Sequence, residues 1–319
     1  MPLATETIGG LGLFERRWPA GARIEAVAPA GGDEPLVLLD GVPFDLRRGR
    51  PDSRPNARSS VHERVGDTVY RVAHRLDDAL RGGLVTRFDL RVPELATADL
   101  TGSVVHAVIP RGKHILMRIG DSTLRSHLRM DGAWHLYRPG ERWRAPGYTA
   151  RAIVSTADAE AVGFDVSMLA LVPTAQEDTL VAHLGPDPLG ADWDLAEAAR
   201  RLGADRRPIH VALLDQRNVA GFGNEYAAEL LFLRGVRPTT PAIEVDVTAL
   251  LELGARTIRA NRDRLDRTFT GVAQRGRTTW VYGRAHRTCR RCGAIIESGE
   301  LGADPTEERR TFWCPRCQR

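Results

Sequence analysis

Asp215-Gln-Arg-Asn-Val-Ala-Gly-Phe-Gly-Asn224 is a glycine-bearing turn between two helix-forming stretches, Pro208–Leu214 and Asn224–Leu233. Glycine permits tight backbone geometry and close approach, so the segment is a candidate helix–two-turn–helix. A helix opening at Asn224 would present free backbone N–H groups and a positive dipole end, which suits a phosphate, and the Asn side chain could add a donor. On local spacing alone an ordinary helical hairpin with Asn224 as its N-cap fits better. Working outward, the chain turns helical from Glu177. Asp194 is placed to cap a helix through Leu202. Val247, Leu250, Leu251, Gly254 and Ile258 share one face of a further helix.

Upstream the period changes. Asp67 or Thr68 could cap a helix to about Leu80, with Val69, Val72, Ala73, Leu76 and Leu80 on one side. After Gly82-Gly83 come short alternating strands: Leu84–Val92, Val104–Pro110, His114–Ile119, Thr123–Leu128, Ala133–Tyr137, Ala150–Ser155 and Glu160–Asp165. A helix followed by about seven strands predicts a β-sandwich with a flanking helix. Residues 1–62 read as an extra segment, with strand-like runs at Arg23–Val27 and Leu36–Leu39. Within it, Arg47–Ser60 is a polar, proline-bearing linker without apolar periodicity. No internal repeat is visible.

All four cysteines fall near the chain's end, as Cys289-x-x-Cys292 and Cys314-x-x-Cys317. Two such knuckles about twenty residues apart predict one structural zinc ion in a C-terminal hairpin. Two disulfides, or unrelated thiols, are the alternatives. Met1–Trp18 has no sustained apolar core and carries Glu6, Glu15, Arg16 and Arg17, so a reducing cytoplasm is expected, which favours zinc.

A hydrophobic fraction of 42% and a charged fraction of 27% suit a soluble chain, and no stretch approaches a membrane span. The net charge is only +4, yet Arg284 to Arg319 holds eight arginines around the cysteines. That clustering points to a polyanion, most simply nucleic acid, although a solvated basic tail would look the same. One lysine, Lys113, stands against 44 arginines. A lysine kept under such a bias suggests amine chemistry or a compact point charge, beside the option of chance survival. Arg111-Gly-Lys113 sits at a strand entry. His127-Leu-Arg-Met-Asp131 ends a strand, where Arg129 and Met130 could enter a base stack or Met130 could pack inward.

Gly66-Asp-Thr-Val, Arg111-Gly-Lys-His, Ser126-His-Leu-Arg-Met, Leu213-Leu-Asp-Gln-Arg-Asn-Val-Ala-Gly-Phe-Gly-Asn, Val281-Tyr-Gly-Arg and Phe312-Trp-Cys-Pro-Arg-Cys-Gln occur in that order. Together they resemble the formamidopyrimidine-DNA glycosylase / endonuclease VIII family, closest to its actinobacterial endonuclease VIII-like branch, over about residues 63–319. The resemblance implies an α+β multidomain fold. Its parts are a β-sandwich catalytic-type domain (63–175), a helix–two-turn–helix domain (176–268) and a zinc-finger hairpin (269–319), after the extra segment (1–62). It implies a monomer that excises oxidised bases and nicks damaged or abasic DNA in a bacterial, nucleoid-associated setting.

In that family an N-terminal proline amine attacks the sugar and the next glutamate acts as acid and base. By resemblance Lys113 assists at sugar and phosphate, Arg309 and Asn224 grip phosphates, and Arg129 and Met130 fill the gap left by the flipped base. His127 and Arg284 stand with the DNA contacts.

This chain lacks the family's Met-Pro-Glu-Gly start. Val61-His62-Glu63 takes the place of Met-Pro-Glu if two residues are inserted, so Glu63 survives while His62 replaces the proline; an ungapped alignment puts Arg64 and Val65 there. Pro2 could be exposed by methionine removal, but Leu3 follows it. The departure fits an upstream start assignment, a catalytically silent protein that binds damaged or abasic DNA, or another amine, for which Lys113 is the sole lysine. Ala227-Ala228, where relatives carry polar residues, implies a weaker phosphate contact.

Overall fold

The computed structural model describes four short strands within the first sixty residues, backbone only, and residues 66–319 apart from Met130, Leu265 and residues 303–307; the side chain of Ser167 is also left out. Pro2, Glu63 and Met130 therefore lie outside the described residues. The chain divides into two compact units, Met1–Ser60 and Val61–Arg319. In the first, β1 (Ile24–Val27), β2 (Leu36–Leu39), β3 (Val42–Asp45) and β4 (Arg50–Pro51) pair in order as an antiparallel meander. The expected featureless linker thus contains a strand. Pro51 is tolerated there because β4 is an edge, where a missing N–H costs no ladder bond.

The second unit opens with α1 (Gly66–Leu80). Neither Asp67 nor Thr68 is its cap. The helix already includes Gly66, and the Asp67 side chain is fully buried inside the first turn. Eight strands follow: β5 (Arg87–Leu90), β6 (Val105–Arg111), β7 (His114–Ile119), β8 (Ser122–His127), β9 (Ala133–Tyr137), β10 (Ala150–Ser155), β11 (Glu160–Phe164) and β12 (Ser167–Pro173). They form two antiparallel sheets, β5-β10-β11-β9 and β12-β8-β7-β6. The apolar face of α1 (Val69, Ala73, Leu76, Leu80) joins one core with Ile115, Met117, Ile119, Leu124, Ala152 and Val154 from the sheets. Strand β12 escaped the sequence reading. Its register shifts between Ser167 and Ala170, and such an irregularity disrupts the two-residue period that marks a strand. The expected Leu84–Val92 strand is shorter, with Leu84 making only an isolated bridge to Val104.

The helical part comprises α2 (Glu177–Val181), α3 (Leu195–Gly203), α4 (Ile209–Leu214), α5 (Asn224–Arg234) and α6 (Val247–Asn261). Asp194 Oδ1 accepts from Glu197 N at 2.9 Å and Asp246 Oδ1 from Ala249 N at 3.1 Å, so both helices carry the side-chain caps their sequences offer. Helix α5 is buried from Asn224 to Phe232, which explains its lack of helical amphipathicity. A hairpin, β13 (Glu297–Leu301) and β14 (Arg309–Trp313), closes the chain. Among the described residues no helix is long and apolar enough to cross a membrane.

Candidate nucleic-acid interface and amine site

Lys113 sits on the two-residue turn joining β6 to β7. Gly112, with φ +58°, supplies the left-handed position that a side chain resists. Its N–H donates to Asp187 Oδ2 at 2.6 Å, and a Cβ there would lie 3.2 Å from Ala220. The amine-bearing turn is therefore docked against the helical part. Asp187, 3% exposed, also accepts from Leu189 N at 2.9 Å, and burial raises its pKa despite these donors. Sequence reasoning missed Asp187; the one available signal was an acid held between Pro186 and Pro188 in a loop.

His127 faces His114 across the β7–β8 ladder, with ring centres 4.8 Å apart. Burial first, then the charges of Lys113, Arg129 and Arg125, lowers the pKa of His127 to about 4. Burial likewise takes His114 to about 3, with His127 and Arg125 adding to it. His127 Nδ1 accepts from Arg129 N at 3.0 Å, so the neutral ring carries its proton on Nε2. That tautomer makes His127 a neutral donor.

A histidine whose folded pKa lies below 6.5 contributes stability that is present above pH 6.5 and is lost as pH falls through about 4. An NMR titration of the His127 ring is expected to show a midpoint about 4. A midpoint near the ordinary 6.5 would mean that burial and the neighbouring cations do not hold the ring neutral.

Arg129 has φ +47°, and its Nη2 lies 3.3 Å from Met168 Sδ. Met168 is 45% exposed with φ +59°. Holding a bulky residue in that conformation is costly, and it leaves an exposed apolar side chain beside Arg129. Met168 was not singled out from the sequence because β12 was not recognised.

Asn224 is the first helical residue of α5, and Gly223 is the N-cap. The Asn224 side chain instead spans two segments. His210 Nε2 donates to Asn224 Oδ1 at 2.8 Å, and Asn224 Nδ2 donates to the Arg310 carbonyl at 2.8 Å. Burial lowers the pKa of His210 to about 4, which keeps this ring neutral. Arg309, the exposed first residue of β14, thus lies one position from the strand carbonyl that Asn224 holds. Ala227 and Ala228 are both fully buried, Ala228 against Phe232, Val281 and Phe312. Ala228 packs the hairpin onto α5 while Ala227 joins the core of the helical part, and neither side chain is exposed to a phosphate.

Arg284 also has a structural part. Its Nη1 donates to the Trp280 carbonyl and its Nη2 to the Thr288 carbonyl at 2.8 Å, so it braces the approach to the first cysteine knuckle. Beneath it the fully buried Glu229 accepts from the backbone N–H groups of Trp280, Val281 and Tyr282, each at 2.8 Å.

The four cysteine sulfurs lie within 4.8 Å of one another. Cys289 and Cys317 are 4.0 Å apart and Cys292 and Cys314 3.4 Å apart, far beyond a disulfide bond of about 2.0 Å. A tetrahedral zinc ion with bonds of about 2.3 Å needs sulfurs about 3.8 Å apart. The cluster could hold such an ion.

A sandwich, a helical part built around a glycine turn and a four-cysteine hairpin define a class of DNA-repair protein. The chain belongs to the formamidopyrimidine-DNA glycosylase / endonuclease VIII family. Residues 63–167 match the formamidopyrimidine-DNA glycosylase N-terminal domain and residues 184–260 the formamidopyrimidine-DNA glycosylase H2TH domain. The "Probable endonuclease 8 2" of Streptomyces coelicolor is 49% identical over 259 residues, covering 79% of this chain and 93% of that protein. The "DNA-(apurinic or apyrimidinic site) lyase Nei2" of Mycolicibacterium smegmatis is 44% identical, covering 79% and 98%. Among solved structures, MutM in complex with carbocyclic 8-oxo-G containing DNA superposes with a TM-score of 0.67 at 26% identity, over 81% of this chain and all of that one.

Proposed function

We propose that this chain excises oxidised bases from DNA and cuts the strand at the resulting abasic site, with the Lys113 amine attacking the sugar C1′. DNA glycosylase and AP lyase are the activities of its family. The observation that carries the assignment to Lys113 is the Gly112–Asp187 bond, which docks the Lys113 turn beside the glycine segment leading to Asn224. Lys113 is also the single lysine of the chain, and its charge is felt at His127.

The amine lone pair attacks C1′, the bond from C1′ to the base breaks, and the base leaves with a proton; the nitrogen, having given up a proton, then expels O4′, which is protonated as the C1′–O4′ bond breaks to leave the iminium. Loss of a C2′ proton from the resulting iminium then expels the 3′ phosphate, with Glu63 as the acid and base of these transfers. His127, Asn224 and Arg309 hold the flanking phosphates, while Arg129, Met130 and Met168 fill the space of the extruded nucleotide. The sandwich (63–175), the helical domain (176–268) and the hairpin (269–319) act together as a monomer on damaged or abasic DNA in a bacterial cytoplasm, at the nucleoid. Cys289, Cys292, Cys314 and Cys317 would hold one zinc ion, whose part is to fix the hairpin.

Borohydride reduces an imine to a permanent cross-link. With abasic DNA it is expected to attach the chain through Lys113, located by mass spectrometry, and Lys113→Met is expected to abolish the product. With one lysine present, the terminal amine is the remaining position for such a link. Attachment at Pro2 would reassign the nucleophile. No cross-link beside tight abasic-DNA binding would make the chain a lesion-binding protein without chemistry.

A further inference from the structure

Asp67, Glu225 and Arg267 come from three separate segments and form a buried charged cluster that the reaction scheme does not use. Their side chains are 0%, 1% and 7% exposed. Arg267 Nε and Nη2 donate to the two oxygens of Asp67 at 3.0 and 2.9 Å. Nη2 also donates to Thr68 Oγ1 at 3.0 Å, and Nη1 donates to Glu225 Oε2. The Tyr226 ring lies 5.6 Å from the guanidinium, and its hydroxyl donates to Asp67 Oδ2 at 3.2 Å. Burial opposes the charge on Arg267, but Asp67 and Glu225 outweigh it and raise its pKa. A buried ionic cluster is commonly no more stable than well-packed apolar residues, and its best-attested use is to specify geometry.

The geometry specified here is the meeting of two helix starts. Asp67 follows Gly66 in the first turn of α1, and Glu225 follows Asn224 in the first turn of α5. Gly66 N–H donates to the Gly221 carbonyl at 2.9 Å, a second tie between the same places. A Cβ on Gly66 would sit 3.1 Å from Gly221 Cα and from its oxygen, so the two backbones touch. We propose that Arg267 is a positioning residue, fixing the first turn of α1 and, through the Gly66–Gly221 contact, the glycine turn on which the Lys113 turn rests, relative to the phosphate-holding Asn224. This rests on the function proposed above. Arg267 touches no DNA in this scheme, so its loss is felt in the chemical step and not in binding.

The test uses the full chain. In Asp67→Asn/Glu225→Gln/Arg267→Met all three charges disappear together, so no buried charge is left unpaired. Single-turnover cleavage of an abasic duplex is expected to fall about thirtyfold with Kd within about threefold, as a displacement near 1 Å costs up to about a hundredfold. Exchange of the Gly66 amide proton is expected to quicken about tenfold as the α1 start loosens. Arg267→Lys keeps the charge without the planar fork and should fall between wild type and the triple variant. It carries the test if the triple variant does not fold. Unchanged rate and exchange in a folded variant would overturn the proposal, as would a rate that falls only in step with Kd. An inactive wild type would overturn the function instead, and the Gly66 exchange would still decide the position.

Discussion

Cys289→Ser is expected to abolish zinc binding and to weaken abasic-DNA binding at least about a hundredfold, because the loss of two charge-assisted contacts of about 1.5–3 kcal/mol each, about 3–6 kcal/mol together, is felt at the hairpin. The hairpin is small. Its core consists of Val281, Ile296 and Phe312 with Cys289 and Cys314, resting on Ala228 and Phe232 of α5. A structural zinc ion contributes about 10 kcal/mol or more to such a module, which a core of this size cannot replace. Two ties survive the substitution. Gln318 accepts from Cys314 N at 2.9 Å and donates to the Val236 carbonyl at 2.8 Å, and Glu229 grips the three N–H groups from Trp280 to Tyr282. The base of the module is therefore expected to stay attached while the strands fray. Fraying of β14 frees the Arg310 carbonyl from Asn224 and moves Arg309, so the phosphate contacts proposed for these two residues are expected to fail together. Metal analysis, anisotropy with an abasic duplex and thermal melts check this. A metal-free variant with wild-type melting and affinity would remove zinc from the account.

The parts of this site that could be read in the sequence are those fixed by local spacing. Two cysteine knuckles, a glycine-rich turn and a helix face repeat at set intervals, so the hairpin, the turn before Asn224 and α1 were all visible. What escaped depends on contacts between distant segments. Asp67 looked like a helix cap because an acid at a helix start usually is one; in fact Arg267, two hundred residues away, takes its carboxylate. Asp187 carries no motif of its own, and its role appears only when Gly112 reaches it. Arg284 stands with the DNA contacts by resemblance, and its bonds to two backbone carbonyls could not be read from the sequence. The Ala227-Ala228 pair reads in the sequence as a weakened phosphate contact, and its packing role appears only with its burial. Strand β12 was hidden by an irregular register, and Met168 with it.

A chain in which Met-Pro-Glu replaces residues 1–65, directly before Gly66, is expected to move the borohydride cross-link from Lys113 to the new terminal proline and to speed imine formation about three hundredfold at pH 7.5. The factor comes from protonation. An α-amine with pKa about 7.8 is about one-third neutral at that pH, whereas a lysine with pKa about 10.4 is neutral about once in a thousand molecules. Only the neutral amine attacks. The cut falls where the structure allows it, since Val61–Arg319 is a compact unit by itself, and the Gly66–Gly221 bond together with the Asp67–Arg267 pair fixes the point from which the new terminus emerges. His62 cannot do this work within the natural chain, because its backbone nitrogen is part of a peptide bond. The dependence on pH separates the two amines further. With proline as nucleophile the rate should level off above about pH 8, while with Lys113 it should keep rising toward pH 10. Single-turnover rates across that range, with each cross-link mapped, measure both effects. A graft that cross-links at proline without a gain in rate would mean that amine protonation does not limit the reaction, and that Lys113 already attacks from a site that keeps it neutral.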